Sequence, residues 1–105
     1  MEQLITNYEE MDWEEAEGYP IGSQIKILSE HNGARTFILN LPPGFAMDAH
    51  SHMYNEQHLV LDGSYIGENV TYRKGAYRYI PKHTNHGPYR SETGVTLLII
   101  YDTMD

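Results

Sequence analysis

Residues Gly44 to Gly63 read GFAMDAHSHMYNEQHLVLDG and hold His50, His52 and Glu56 in fixed register between two glycines. Side chains of an extended strand alternate between its faces, so His50 and His52 point the same way and can reach one ion. Glu56 follows after a short turn. This register predicts a metal site on a β-barrel.

A second stretch, Gly75 to His86, reads GAYRYIPKHTNH and supplies a further donor, His86. Neutral imidazole is the commonest protein metal ligand near neutral pH, and three imidazoles with one carboxylate form a borderline to hard shell. We therefore expect His50, His52, Glu56 and His86 to bind one divalent transition metal ion (Fe, Mn, Ni or Zn). The alternatives are a hydrogen-bonded polar cluster and, for His86, a purely structural role.

The two stretches together resemble the paired motifs of the cupin superfamily, G-x5-H-x-H-x3-4-E-x6-G and G-x5-P-x-G-x2-H-x3-N. The first motif matches at every fixed position. In the second, Gly75, Pro81 and His86 match, whereas His83 and Arg90 stand where the motif has glycine and asparagine. The resemblance implies an all-β fold, the double-stranded β-helix or jelly-roll barrel.

The rest of the chain is also typical of short strands separated by turns, and from Trp13 to Tyr101 it is similar to small ChrR-type cupins. Asn32-Gly33 predicts a two-residue hairpin turn, because both residues tolerate positive φ. Helix signals are nearly absent. The predicted strands are Gln24 to Leu28, Ala34 to Leu41, Met47 to His52, Gln57 to Tyr65, Val70 to Arg73, Ala76 to Ile80 and Val95 to Tyr101.

The 105 residues suit one domain with one core. Six acidic residues between Glu9 and Glu17 suggest an N-terminal arm, residues 1–19, ahead of a barrel domain, residues 20–105. Trp13 interrupts the acidic run, and we expect its indole to anchor the arm on the barrel.

Charge and composition exclude several classes of protein. A formal net charge of -8 with only seven basic residues disfavours nucleic acid and anionic membrane surfaces. The chain has no cysteine, so disulfides, thiolate nucleophiles and cysteine-bound metals are excluded. No uninterrupted apolar run of about 18 residues occurs, and the first residues lack the features of a signal peptide. We expect a cytoplasmic protein.

Two further polar residues are candidate catalytic groups. His58 lies two residues after Glu56, so it could be a fifth ligand, a substitute for Glu56 or a proton-transfer group; the alternative is a buried histidine bonded to a tyrosine. Arg90 falls four residues after His86 and could orient a substrate oxygen if the strand continues through Pro88. Otherwise Arg90 would form a surface ion pair with Glu92.

The apolar and aromatic residues predict a cavity and an interface. The chain has nine tyrosines, and those in or beside the predicted barrel could line a small-molecule pocket with Phe45, Met47 and Met53. They are Tyr54, Tyr65, Tyr77, Tyr79, Tyr89 and Tyr101. The last strand, Val95 to Tyr101, is apolar on both faces, so one face can fill the barrel and the other can pack against a second copy. A homodimer is expected.

These features predict a metal-dependent enzyme, dioxygenase-like as the ChrR-type resemblance implies, acting on a small oxygen-bearing substrate such as a dicarbonyl. With Mn, Ni or Zn, isomerisation, lyase chemistry or hydrolysis is the alternative. ChrR-like domains also occur in anti-sigma regulators, so a non-catalytic sensor or a small-molecule carrier is the main rival.

Overall fold

The fold is a curled antiparallel sheet, seen in a computed structural model that describes residues 2–102. One short 3-10 turn, Tyr8–Glu10, precedes the strands. Residue 1 of the predicted N-terminal arm and residues 103–105 of the predicted barrel domain lie outside the described residues. The strands are β1 (Glu14–Glu15), β2 (Gln24–His31), β3 (Ala34–Leu41), β4 (Ala46–Met47), β5 (Asn55–Gly67), β6 (Val70–Arg73), β7 (Tyr77–Ile80), β8 (Tyr89–Arg90) and β9 (Val95–Asp102).

The long strand β5 joins two layers of the sheet. One layer runs β1-β2-β3-β9-β5-β7, and the other contains β6, β5, β8 and β4. The pairing of β5 with β9 shifts register between Val60 and Asp62, which increases local twist and lets β5 bend from one layer into the other. The all-β jelly roll is thereby confirmed.

Most predicted strands are present, and the predicted hairpin is too. Asn32 and Gly33 have φ of 49° and 85°, as a tight turn between β2 and β3 requires. The predicted strand Met47 to His52 is wrong in extent, because β4 ends at Met47 and only His50 makes a further bridge. No local pattern predicted the two-residue strands β1 and β8, which depend on neighbours distant along the chain.

The inner face of the sheet carries the apolar core. Along β9, burial alternates from Val95 to Asp102, as expected for a strand with one face turned inward. Phe37 and Leu39 on β3 face the same interior and are almost fully buried. This alternation sets which side chains reach the site.

The N-terminal segment lies on the outer face of β2. Ala16 is buried, and the buried Lys26 donates a hydrogen bond from Nζ to the Tyr8 carbonyl oxygen at 2.8 Å. The Lys26 ammonium also lies 4.4 Å from the centre of the Trp13 ring. Trp13 stays 37 % exposed, so its contact with the barrel is a cation–π contact and not burial in the core.

Candidate metal centre

The two motif segments meet through a reciprocal pair of backbone hydrogen bonds. The His50 N–H donates to the His86 carbonyl and the His86 N–H donates to the His50 carbonyl, each at 2.8 Å. A third bond, from the His83 N–H to the His52 carbonyl, is also 2.8 Å long. Residues more than 30 positions apart are therefore fixed side by side.

Three imidazoles converge at this junction. One ring nitrogen each of His50, His52 and His86 lies within 4.8 Å of the others, a spacing from which all three can reach one ion. The centres of the His50 and His86 rings are 4.3 Å apart. His52 stacks on Tyr54, with ring centres 4.9 Å apart and planes 12° from parallel.

Hydrogen bonds orient the ligand nitrogens. His50 Nδ1 lies 3.1 Å from the Asp48 carbonyl oxygen, which requires the proton on Nδ1 and leaves the Nε2 lone pair for a metal. His86 Nδ1 is hydrogen-bonded with the Tyr89 hydroxyl, and its Nε2 has no hydrogen-bond partner among the described residues. Burial lowers the pKa of His52, which favours the neutral ring that binds metal.

Glu56 adjoins the three imidazoles from β5. Its Oε2 lies 3.3 Å from His86 Nε2 and 3.7 Å from His52 Nε2. Burial alone would raise the pKa of Glu56, but the hydrogen bond from His58 and the adjacent His86 ring hold it well below the usual range. The carboxylate is therefore an anion beside three imidazoles.

The donor set fits a cation. Glu56 Oε2 and His86 Nε2 are both buried, and neither has a hydrogen-bond partner among residues 2–102. Buried polar atoms are almost always satisfied, and an unsatisfied pair costs about 1–3 kcal/mol for each group. A divalent ion held by His50, His52, Glu56 and His86 would satisfy both atoms.

His58 is buried and holds the other oxygen of Glu56. Its Nε2 lies 2.9 Å from Glu56 Oε1, and its Nδ1 lies 3.1 Å from the Tyr65 hydroxyl. Because the carboxylate only accepts, Nε2 carries the proton, and Nδ1 then accepts from the tyrosine. Both ring nitrogens are engaged, which matches the hydrogen-bonded histidine that the sequence left as an alternative to a fifth ligand. Proton transfer by His58 stays a prediction.

His50, His52 and His58 line a cavity of about 440 Å³. Phe45 and Met47 line it as predicted, whereas Met53 is 80 % exposed and was wrongly expected there. The cavity wall is mostly apolar with phenol tips, the usual lining of a small-molecule pocket. Its tyrosines are Tyr19, Tyr54, Tyr65, Tyr89 and Tyr101.

The structure adds two residues to the cavity that the sequence reasoning missed, Tyr19 and Arg35. The Tyr19 hydroxyl lies 3.0 Å from the Tyr101 hydroxyl. Arg35 shares the inward face of β3 with Phe37 and Leu39. In the sequence, Arg35 lies two residues before Phe37, and Phe37 lies two residues before Leu39. Because side chains of a strand alternate between its faces, this spacing could have placed Arg35 on the inward face.

Arg90 is exposed on β8 and is not among the residues that line the cavity. The condition for its inward position, an unbroken strand from His86, is not met, because Gly87 adopts φ of 100° and β8 begins at Tyr89. Consecutive strand residues point to opposite faces, so buried Tyr89 leaves Arg90 outside. A catalytic role for Arg90 stays a prediction without support from this placement.

Comparisons with known proteins agree with this architecture. The family model described as the ChrR cupin-like domain matches residues 1–105. KdgF from Halomonas sp. is similar with a TM-score of 0.80 and 20% identity, covering 100% of this chain and 96% of that chain. The polyketide cyclase RemF from Streptomyces resistomycificus has a TM-score of 0.82 and 13% identity, covering 98% of this chain and 81% of that one. Both likenesses concern the fold.

A third similar structure is that of Rhodobacter sphaeroides SigE in complex with the anti-sigma ChrR. Its TM-score is 0.74 with 25% identity, and the match covers 91% of this chain but 52% of that chain. No curated protein sequence matches the chain. Within residues 2–102, no helix has the length and apolar character needed to span a membrane.

Proposed function

This chain belongs to the family of ChrR cupin-like domains, and on that premise we propose that it is a metal-dependent enzyme acting on a small oxygen-bearing substrate. The reaction we favour is dioxygenase-like, with a dicarbonyl as the model substrate. The observation that carries this proposal is the pair of buried unsatisfied atoms, Glu56 Oε2 and His86 Nε2, beside two further imidazoles at a cavity wall.

The ligands that we propose are His50, His52, Glu56 and His86, and the ion is Fe, Mn, Ni or Zn, since imidazole and carboxylate serve all four. When bound, such an ion would supply Lewis acidity and a template for substrate oxygens. The chain itself contributes orientation: His58 holds Glu56 Oε1 at 2.9 Å and thereby turns Oε2 toward the imidazoles.

The cavity residues would bind the substrate and exclude water. Apolar side chains such as Phe45 and Leu97 surround the site, and the phenols of Tyr54 and Tyr101 offer hydrogen bonds near the imidazoles. Burial raises the pKa of both phenols, so they stay neutral donors at physiological pH. A substrate with two oxygens and a short carbon skeleton suits such a wall.

The first test is metal content. Protein purified without added metal should carry close to one equivalent of a single divalent metal by elemental analysis, and the double variant His50→Ala, His52→Ala should lose it. A double variant of two exposed histidines, His31→Ala, His83→Ala, is the matched control and should keep the metal. Metal retained at full stoichiometry in the first double variant would refute the proposed ligand set.

The second test is turnover. Oxygen uptake should accompany consumption of at least one dicarbonyl from a panel, and the uptake should disappear in the His50→Ala, His52→Ala variant. Consumption of a dicarbonyl without oxygen uptake would instead support isomerase or lyase chemistry at the same site.

A sensor or carrier is the second candidate, because the chain is 25% identical to part of a chain in the SigE and ChrR complex. That candidate predicts stoichiometric metal and ligand binding without consumption of the ligand. Repeated cycles of product formation, measured by chromatography, would exclude it.

We also propose a homodimer in the cytoplasm without nucleic-acid partners. Leu59, Leu98 and Ile100 lie on the outward face of β5 and β9 and remain partly exposed, so a second copy could cover them. Sedimentation of the wild type and of a Leu98→Glu variant tests this, since the charged variant should be monomeric.

A further inference from the structure

Arg35 is a cation in the cavity wall that the proposed metal site does not use. On β3 it has the same parity as Phe37, Leu39 and Leu41, so it lies at the end of the inward-facing row. It is among the residues that line the cavity. Its Nε is buried and has no hydrogen-bond partner among the described residues.

The neighbours of Arg35 leave its Nε without a hydrogen bond. The Glu30 carboxylate lies 3.8 Å from Nε, which is beyond hydrogen-bond distance, and Glu30 itself is largely exposed to solvent. The guanidinium carbon lies 5.0 Å from the centre of the Phe37 ring. Such a cation–π contact attracts the guanidinium to the ring without using its N–H donors, which remain for an anion.

The strand register relates Arg35 to the metal site. Arg35 pairs with Tyr101 on β9, and Tyr101 pairs with Glu56 on β5, so the three residues form one row across three strands. Two strand spacings of about 4.8 Å separate the backbones of Arg35 and Glu56 by roughly 10 Å. A molecule of a few carbon atoms can bridge that separation.

We propose that Arg35 binds the carboxylate of an anionic substrate, a short organic acid whose opposite end carries the oxygens directed at the metal site. The inference rests on the proposed function and specifies its substrate class. Guanidinium binds a carboxylate through two parallel hydrogen bonds, which are stronger than hydrogen bonds between neutral groups. The net charge of -8 would otherwise repel an anion. Preference for an anionic substrate over a neutral one therefore depends on the Arg35 cation.

The test compares two probes with the same seven-carbon skeleton and the same 1,3-diketone. One is 4,6-dioxoheptanoate, which has a terminal carboxylate, and the other is heptane-2,4-dione, which has a methyl group there. Calorimetric titration of protein loaded with the redox-inert ion Zn²⁺ under anaerobic conditions measures binding without oxygen-dependent turnover, and chromatography of the recovered probe confirms that it is unchanged. We expect the acid to bind about tenfold or more tightly than the neutral diketone, the effect of one charge-assisted interaction.

The Arg35→Met variant should lose the preference for the acid and keep its zinc content. Arg35→Lys retains the positive charge without the two parallel N–H donors of a guanidinium, so it should keep part of the preference. Arg73→Met, at an exposed arginine on β6, is the matched control and should bind like wild type. Equal or weaker binding of the acid by wild type, or an undiminished preference in Arg35→Met, would overturn the inference. Absence of oxygen uptake would count against the oxygenase proposal alone, since the difference in binding needs no turnover.

Discussion

At the scale of single residues, the site depends on hydrogen bonds that engage one ring nitrogen of a histidine and leave the other for a metal. Asp48 and Tyr89 engage Nδ1 of His50 and His86, so both histidines present Nε2. His58 performs the equivalent task for Glu56 by holding one of its two oxygens. These outer contacts decide which atoms remain for a metal.

Replacing His58 tests this role. His58→Ala should weaken metal binding by about 10- to 100-fold, the usual effect of removing a contact that orients a ligand. His58→Gln, whose amide can still donate to Glu56, should recover part of the loss. Competition with a chelator measures the affinity, and exposed His31→Gln provides the control. Unchanged affinity in His58→Ala would show that Glu56 needs no such support.

At the scale of elements, β5 connects the two layers and carries Glu56 and His58 toward the cavity. Its bend coincides with the register shift near Asp62 and with Gly63, which adopts φ of 75°. A Cβ at Gly63 would overlap the carbonyl oxygen of Gly94. Glycine is therefore required there for both conformation and space.

This requirement predicts different costs at two glycines. Gly63→Ala should destabilise the fold by about 3 kcal/mol or more, since backbone strain and overlap add. Gly75→Ala should cost about 1 kcal/mol, because Gly75 has φ of 92° but a Cβ there would meet no atom within 4 Å. Urea unfolding measures both free energies. Equal losses in the two variants would contradict the close approach of the Gly63 and Gly94 turns.

At the scale of the whole molecule, the interior encloses phenols as well as apolar side chains. Burial raises the pKa of Tyr65 to about 12, and it also raises the pKa values of Tyr19, Tyr54, Tyr89 and Tyr101 above the ordinary range. In the unfolded chain these tyrosines ionise near pH 10. Alkaline conditions therefore favour the unfolded state.

The sign of this linkage gives a pH prediction. A folded pKa above the unfolded value leaves stability unchanged below about pH 9 and lowers it as pH rises from about 10 to 12. Tyr65 alone should contribute a loss of about 1.4 kcal/mol at pH 11. Urea unfolding measures the free energy of unfolding at pH 8 and pH 11. Between these pH values it should fall by about 1.4 kcal/mol less in Tyr65→Phe than in wild type. The same pH dependence in both proteins would show that Tyr65 ionises normally.

The sequence by itself predicted short strands and turns, because strand alternation and turn chemistry are local properties, and it placed four ligand candidates in two motifs. The resemblance of those motifs to cupins implied the jelly-roll class. Strand alternation from His86 would place Arg90 on the inward face. The positive φ of Gly87 interrupts the strand between these two residues, so alternation does not predict where Arg90 points. The local pattern also could not predict which tyrosines face the cavity, because exposed Tyr77 and cavity-lining Tyr89 both lie in short strands.

Only the tertiary structure decided what meets at the cavity. The bridge between His50 and His86, the row from Arg35 through Tyr101 to Glu56, and the bond from Tyr65 to His58 all join residues through pairing and packing. Such contacts depend on the register between strands and on bulges, which arise from packing of the whole sheet and not from any single segment.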